Sequence, residues 1–171
     1  MELWDAYDRN RKKQEHVLIR DKSIPKGLYH LVVEVICMNP DGNVLITQRA
    51  RTKTFPLEWE ITGGSVLVGE TVIQGALREL QEETGLRAVE SQLTYLHTLR
   101  GRNYFFDSYL CQMPFEARDI QLNQEETVDF QILSFEEFDH KMMNGEMAGK
   151  IANRYLKYRR QVIEIIQKKA L

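Results

Sequence analysis

Cysteine and proline are scarce in this chain, with two Cys and four Pro among 171 residues. Cys37 and Cys111 lie far apart and form no C-x-x-C pair, which argues against a disulfide framework or a zinc knuckle and for buried thiols. Four Pro and ten Gly are too few for a disordered or collagenous chain. No apolar run approaches the roughly 20 residues that a membrane span needs. The first residues, Met1-Glu2-Leu3-Trp4-Asp5, are acidic and carry no apolar secretory segment. The expected setting is the cytoplasm, with no membrane partner. An excess of one charge is also missing. Lys and Arg number 23 against 25 Asp and Glu, a formal net charge of −2, which excludes the strong basic excess of a duplex nucleic-acid binder. A local basic cluster for a small phosphorylated ligand remains compatible with that balance.

The length fits one domain, expected over residues 1–171. Residues 1–27 form an N-terminal extension readable as a hairpin, with a basic, solvated turn at 9–13 and a return strand at 16–19. The core spans 28–140. Within it, 31–37 is a nearly continuous apolar, β-branched run, hence a buried strand. The Asn39-Pro40-Asp41-Gly42-Asn43 turn then leads to a partner strand at 44–49. Further strands are predicted at 93–99, 104–111 and 128–133, with a short extended piece at 59–61. Residues 71–84 read as a helix, with Val72, Ile73, Ala76, Leu77 and Leu80 on one stripe and Gly85 as its stop. Ser134 with Glu137 forms a capping box for a short helix. The tail, 148–171, is an amphipathic helix with Ile151, Tyr155, Val162 and Ile166 on one stripe. Hairpins combined with a central helix argue for a mixed α/β or α+β fold rather than a doubly wound parallel one.

The chemistry concentrates in the 71–84 helix. Glu79, Glu82 and Glu83 sit at i, i+3 and i+4 and share a face. Like charges at this spacing cost about 0.2–0.5 kcal/mol in an isolated helix, so the stripe is a poor device for stability. It suits hard divalent cations, which prefer oxygen ligands. Arg78 points to a neighbouring face and could hold one carboxylate in position. Gly63-Gly64 lets backbone come close to a metal or a phosphate and can present a carbonyl.

The pattern Gly64, Glu70, Arg78, Glu79, Leu80, Glu82, Glu83, Gly85, Leu86 resembles the Nudix box, with every specified position filled. The strand 44–49 and the Trp59-Glu60-Ile61-Thr62-Gly63-Gly64 approach resemble the same family. The resemblance implies an αβα sandwich with a mixed central sheet. It also implies Mg²⁺-dependent, or Mn²⁺-dependent, pyrophosphohydrolysis of a nucleoside diphosphate derivative or a related phosphorylated metabolite. Gly63, through its carbonyl, and Glu79, Glu82 and Glu83 would be the metal ligands, supported by Glu70 and Arg78. Glu125-Glu126 occupies the place of a later acidic loop, with Glu126 the better spaced. A homodimer is a family-level expectation.

Two departures stand out. Thr62 replaces the Pro that many members carry before Gly-Gly. The surroundings of His30 and of residues 48–56 resemble the branch containing isopentenyl-diphosphate isomerase, yet Gly64 and Val66 stand where those isomerases carry a catalytic Cys and a metal-binding His. A hydrolase is therefore expected, with an isomerase-like enzyme or a non-catalytic nucleotide or metabolite sensor as alternatives. Arg49, Arg51 and Lys53 are candidate phosphate grips, against a solvated basic strand end for Arg51 and, more so, for Lys53. Tyr104, Phe105 and Phe106 are candidates to stack on a base, with at least one of them in the core by alternation. His30 reads as a strand end with a satisfied hydrogen bond.

Overall fold

The computed structural model describes residues 1–169. Its strands are β1 (Leu3–Tyr7), β2 (Lys13–Ile19), β3 (His30–Met38), β4 (Val44–Arg49), β5 (Trp59–Glu60), β6 (Thr62–Ser65), β7 (Leu93–Arg100), β8 (Tyr104–Gln112) and β9 (Thr127–Leu133). Its helices are α1 (Val72–Thr84), α2 (Phe135–Met143) and α3 (Ile151–Lys169).

β3 is nearly all apolar because both of its faces are covered. Val33, Val35 and Cys37 pack toward Ala76 and Leu80 of α1. Ile36 and Met38 pack toward Phe138 of α2 and Tyr155 and Val162 of α3. The result is a mixed sheet between helical layers. β8 runs parallel to β3, and β7 is antiparallel to β8. β4 meets β3 only at Cys37–Leu45 and Met38–Val44, then diverges to pair with β9 and β5.

The gap left by that divergence is closed by the segment predicted as one piece at 59–61. It is two strands. The buried Ile61 turns the chain from β5, paired with β4, into β6, paired with β3. This step sets Gly63 opposite Glu34 and Gly64 opposite Val33.

α1 begins where its capping chemistry says it should. The Thr71 hydroxyl accepts from Gln74 N–H, and the Gln74 side chain accepts from Thr71 N–H. Gly85, at φ 77°, closes the other end in the left-handed conformation that glycine adopts without strain. α2 carries the equivalent reciprocal bonds between Ser134 and Glu137.

The C-terminal helix starts at Ile151 rather than 148. Ala148 instead donates its N–H to Trp59 O at 2.7 Å, and Gly149 turns at φ 55°. The expected last two helical residues, 170 and 171, lie outside the described residues. Asp139 of α2 accepts from Tyr155 OH and from Arg159 at 2.6–2.7 Å, which ties α2 to α3. No helix among the described residues is long and apolar enough to cross a membrane.

β1 and β2 form a separate hairpin whose Trp4, Ala6 and Leu18 pack with Leu28 and Leu67. Its turn is not simply solvated. Arg11, at φ 61°, makes a bidentate ion pair with the buried Asp107 of β8, and its guanidinium lies 5.5 Å from the Phe105 ring centre. His30 also departs from expectation: its ring stacks on Trp4 at 4.2 Å, and its buried Nδ1 has no partner.

Candidate active site

The three box glutamates leave α1 in different environments. Glu82 is exposed, Glu79 is buried beside Gly64, and Glu83 is fully buried. Arg78 uses all five of its N–H groups. Nε and NH2 donate to Glu70 at 2.7 and 3.1 Å, NH2 to Ser65 O at 2.9 Å, and NH1 to Glu79 and Glu82 at 2.9 Å each. One guanidinium thus orders three carboxylates and the end of β6. Glu70 is held below its ordinary range. Partial burial opposes this, but the bonds from Arg78 and Leu67 N–H outweigh it.

Glu83 is the least compensated group of the site. Both of its oxygens are buried with no hydrogen-bond partner. The Lys53 ammonium lies 3.6 Å away and is bonded to Glu126 at 2.5 Å. Burial pushes the Glu83 carboxyl well up, the nearby Glu60 adds to this, and Lys53 opposes it. Burial likewise raises Glu79 to about 7, against the pull of Arg78. Glu60 rises by burial, despite its ion pair with Arg49.

The placement of the candidates is uneven. Lys53, read as a solvated strand end, bridges Glu126 and Glu83 inside the site. Arg49 is engaged by Glu60 and by Thr54 O. Arg51 is exposed and lines a separate groove with Gln48, Gln124 and Glu125, so Glu125 and Glu126 part company. Phe105 is core, Tyr104 packs edge-on to His30 and Phe106, and Phe106 carries the Arg154 guanidinium 3.9 Å over its ring.

Two residues escaped the sequence reading. Glu60 is a carboxylate between two apolar residues in a short strand, a pattern that hints at an inward-facing acid. Arg154 lies beside Tyr155 and one turn before Tyr158, on the stripe that packs down.

Gly63, Gly64 and Arg49 are shared by two cavities. One, of about 450 Å³, is the glutamate cleft, with Arg78, Glu79, Glu82, Glu126 and Lys53 on one side and Glu2, Trp4 and Arg20 of the hairpin on the other. The second, of about 230 Å³, lies toward α3 between Phe55, Phe106, Lys150 and Arg154. The glycines have distinct reasons. A Cβ on Gly63 would meet Val33 O at 2.4 Å, and one on Gly64 would meet Glu79 Oε1 at 2.2 Å. Backbone cannot yield, but a carboxylate can. Gly63→Ala is therefore expected to lower Tm. Gly64→Ala should leave Tm nearly unchanged and cut turnover by about 10²-fold through a displaced Glu79; full turnover in that variant would show that the Glu79 position does not matter.

The residues fit a hard divalent cation. Orphaned, buried carboxylate oxygens at Glu83 and Glu60 are costly unless something positive satisfies them. Among the described residues no three His, Cys, Asp or Glu already converge as a ligand set; Glu79 and Glu82 are bonded to Arg78, and Glu126 to Lys53.

An αβα sandwich with a glutamate-bearing helix behind a glycine–glycine strand defines a Nudix-type hydrolase. The NUDIX domain family model matches residues 28–153. An uncharacterized Nudix hydrolase of Listeria monocytogenes, lmo0368, is 32% identical over 148 residues, 85% of this chain and 88% of that protein. Among solved structures, DR0079 from Deinococcus radiodurans has a similar fold, with a TM-score of 0.72 at 20% identity over 92% of this chain and 99% of that one. The NUDIX domain of Shewanella oneidensis NrtR, solved with ADP ribose, matches at a TM-score of 0.53 and 20% identity, over 69% of this chain and 85% of that one. The chain belongs to the Nudix hydrolase family, whose members act on phosphorylated, nucleotide-like substrates.

Proposed function

We propose that the protein is a Mg²⁺-dependent pyrophosphohydrolase, with Mn²⁺ as a substitute, that cleaves the diphosphate linkage of a nucleoside diphosphate derivative or a related phosphorylated metabolite. The observation that carries this reading is Glu83, a carboxylate buried with no hydrogen-bond partner beside Glu60 and Glu79. The Gly63 carbonyl and Glu79, Glu82 and Glu83 would hold the metal. When bound, it supplies charge withdrawal from the scissile phosphorus.

The remaining work falls to the chain. Arg78 and Glu70 keep Glu79 and Glu82 aimed at the cleft. One of the carboxylates gathered here, Glu79, Glu82, Glu83 or Glu126, takes the proton of the attacking water. The chamber beside Phe106 and Arg154 receives the part of the substrate beyond the diphosphate. The chain acts as one unit in the cytoplasm, a setting compatible with its free Cys37 and Cys111.

The test is product release from a panel of nucleoside di- and triphosphates, ADP-ribose and isopentenyl diphosphate, with Mg²⁺, with Mn²⁺ and with chelator. Turnover is expected with metal and none with chelator. Activity that survives chelation overturns the metal assignment, and tight binding without turnover makes the protein a sensor. Solvent deuterium entering isopentenyl diphosphate would make it an isomerase. That outcome is not expected, because Val66 is buried in the core under α1 and offers no imidazole.

A further inference from the structure

We infer that Arg20, on the N-terminal hairpin, is a substrate-binding residue that grips a phosphoryl group at the mouth of the glutamate cleft. The inference rests on the hydrolase reading above and adds a wall to the site from outside the 28–153 domain match.

The cleft needs a cation that can be released to meet phosphate, and each of its cations is paired with an acid, three of them with partners in the box or on the neighbouring strand and loop. Arg78 is saturated by Glu70, Glu79, Glu82 and Ser65 O. Arg49 is held by the buried Glu60, and Lys53 by Glu126 and Glu83. Arg20 differs. Its ion-pair partner is Glu2 of its own hairpin, at 2.5 Å, and its side chain is 55% exposed. An exposed pair of this kind contributes about 0–1 kcal/mol, so exchanging Glu2 for a more highly charged phosphoryl group costs little. Glu2 keeps a partner after the exchange, because its other oxygen accepts from Trp4 Nε1 at 2.7 Å.

The hairpin is fixed well enough to place this residue. Trp4 stacks on His30, Gly69 N–H donates to Asp5 at 2.9 Å, Val68 N–H donates to Leu3 O at 2.9 Å, and Arg11 anchors in Asp107. Arg20 N–H donates to Glu2 O at 3.0 Å, so the backbone carrying the guanidinium is tied beside the cleft it lines with Gly63, Gly64 and Glu126.

Isothermal calorimetry with inorganic pyrophosphate in Mg²⁺ buffer tests the assignment on the full chain, with KM and kcat measured on whichever panel substrate is turned over. Arg20→Gln should weaken pyrophosphate binding and raise KM by about tenfold, with kcat moving far less. Arg20→Lys should recover part of the loss. Glu2→Gln is the deciding variant. It breaks the same ion pair but removes a competitor of the phosphate, so it should tighten binding. A purely structural pair predicts that both variants weaken binding together, with a fall in Tm. That result, or unchanged pyrophosphate binding in Arg20→Gln, overturns the inference. Failure of the wild type to cleave any panel member would overturn the hydrolase reading separately, because the pyrophosphate Kd still reads Arg20.

Discussion

Glu83→Gln should lower turnover by about 10³-fold or more, the scale of removing a charge that organises the transition state, while stabilising the chelator-treated protein. The two effects share one cause. Glu83 is buried, its oxygens lack hydrogen bonds, and its charge is offset only in part by Lys53 at 3.6 Å. Such a group is held against the preference of the fold, a common cost of function. Replacing it with a neutral isostere should raise stability in chelator at pH 7.5 by about 1–3 kcal/mol.

The pH dependence has a definite sign. Burial raises Glu79 from the ordinary 4.5 to about 7, and it pushes Glu83 and Glu60 upward too. A carboxylate with a raised folded-state pKa binds protons in the folded state that the unfolded chain has already released. Stability therefore falls as pH rises between about 4.5 and 7. His30 acts oppositely. Burial lowers its pKa from 6.5 to about 4, so stability is lost as pH falls through that range. Three carboxylates outweigh one imidazole, and the Tm of chelator-treated wild type should be lower at pH 7.5 than at pH 5.5. Added Mg²⁺ should reverse the order, and Glu83→Gln should flatten the profile. Full turnover in Glu83→Gln, or a chelated wild type whose Tm climbs over this interval, would refute the role given to Glu83.

Glu34→Ala should destabilise the protein by about 3–5 kcal/mol, the usual result of stripping one partner from a buried ion pair, or roughly 6–20 °C in Tm for a chain of this size. Glu34 is 2% exposed and accepts three hydrogen bonds, from Ser108 Oγ at 2.7 Å, Tyr158 OH at 2.8 Å and Arg154 Nε at 2.8 Å, with a second Arg154 nitrogen in ion-pair contact at 2.7 Å. Without it, a guanidinium and a phenol lose their acceptor in the interior. The effect should reach the site, because Arg154 lies on Phe106 at the second chamber. Thermal denaturation checks the magnitude, and a loss below about 1 kcal/mol would remove Glu34 from the account of how α3 is held.

Features carried by neighbouring residues were legible in the chain itself. Gly85 ended α1 as read, while the Thr71–Gln74 cap that starts it at Val72 went unread, and the i, i+3, i+4 placement of Glu79, Glu82 and Glu83 follows from helical periodicity once α1 exists. β3, buried on both faces, announced itself by its lack of alternation. The break at Ile61 was invisible, because no turn residue marks it; it arises from β4 diverging from β3 and leaving an edge for β6 to fill. Glu60 was passed over for the same reason, since its burial comes from that crossing rather than from its own segment.

The sequence by itself determined the carboxylate helix: which residues carry its acidic stripe, where it ends, and which glycines precede it. These are local properties, set by capping, periodicity and spacing. Only the tertiary structure decided how the charges are shared. Lys53 and Glu126 are 73 residues apart, and Arg11 and Asp107 are 96 apart. Such pairs form only when the sheet has closed and the hairpin has docked, so no periodicity in the chain encodes them. That pairing engages Arg49, Lys53 and Arg78 with Glu60, Glu126 and the box carboxylates, and it sets Arg20, paired with Glu2 on a hairpin outside the 28–153 match, at the rim of the cleft.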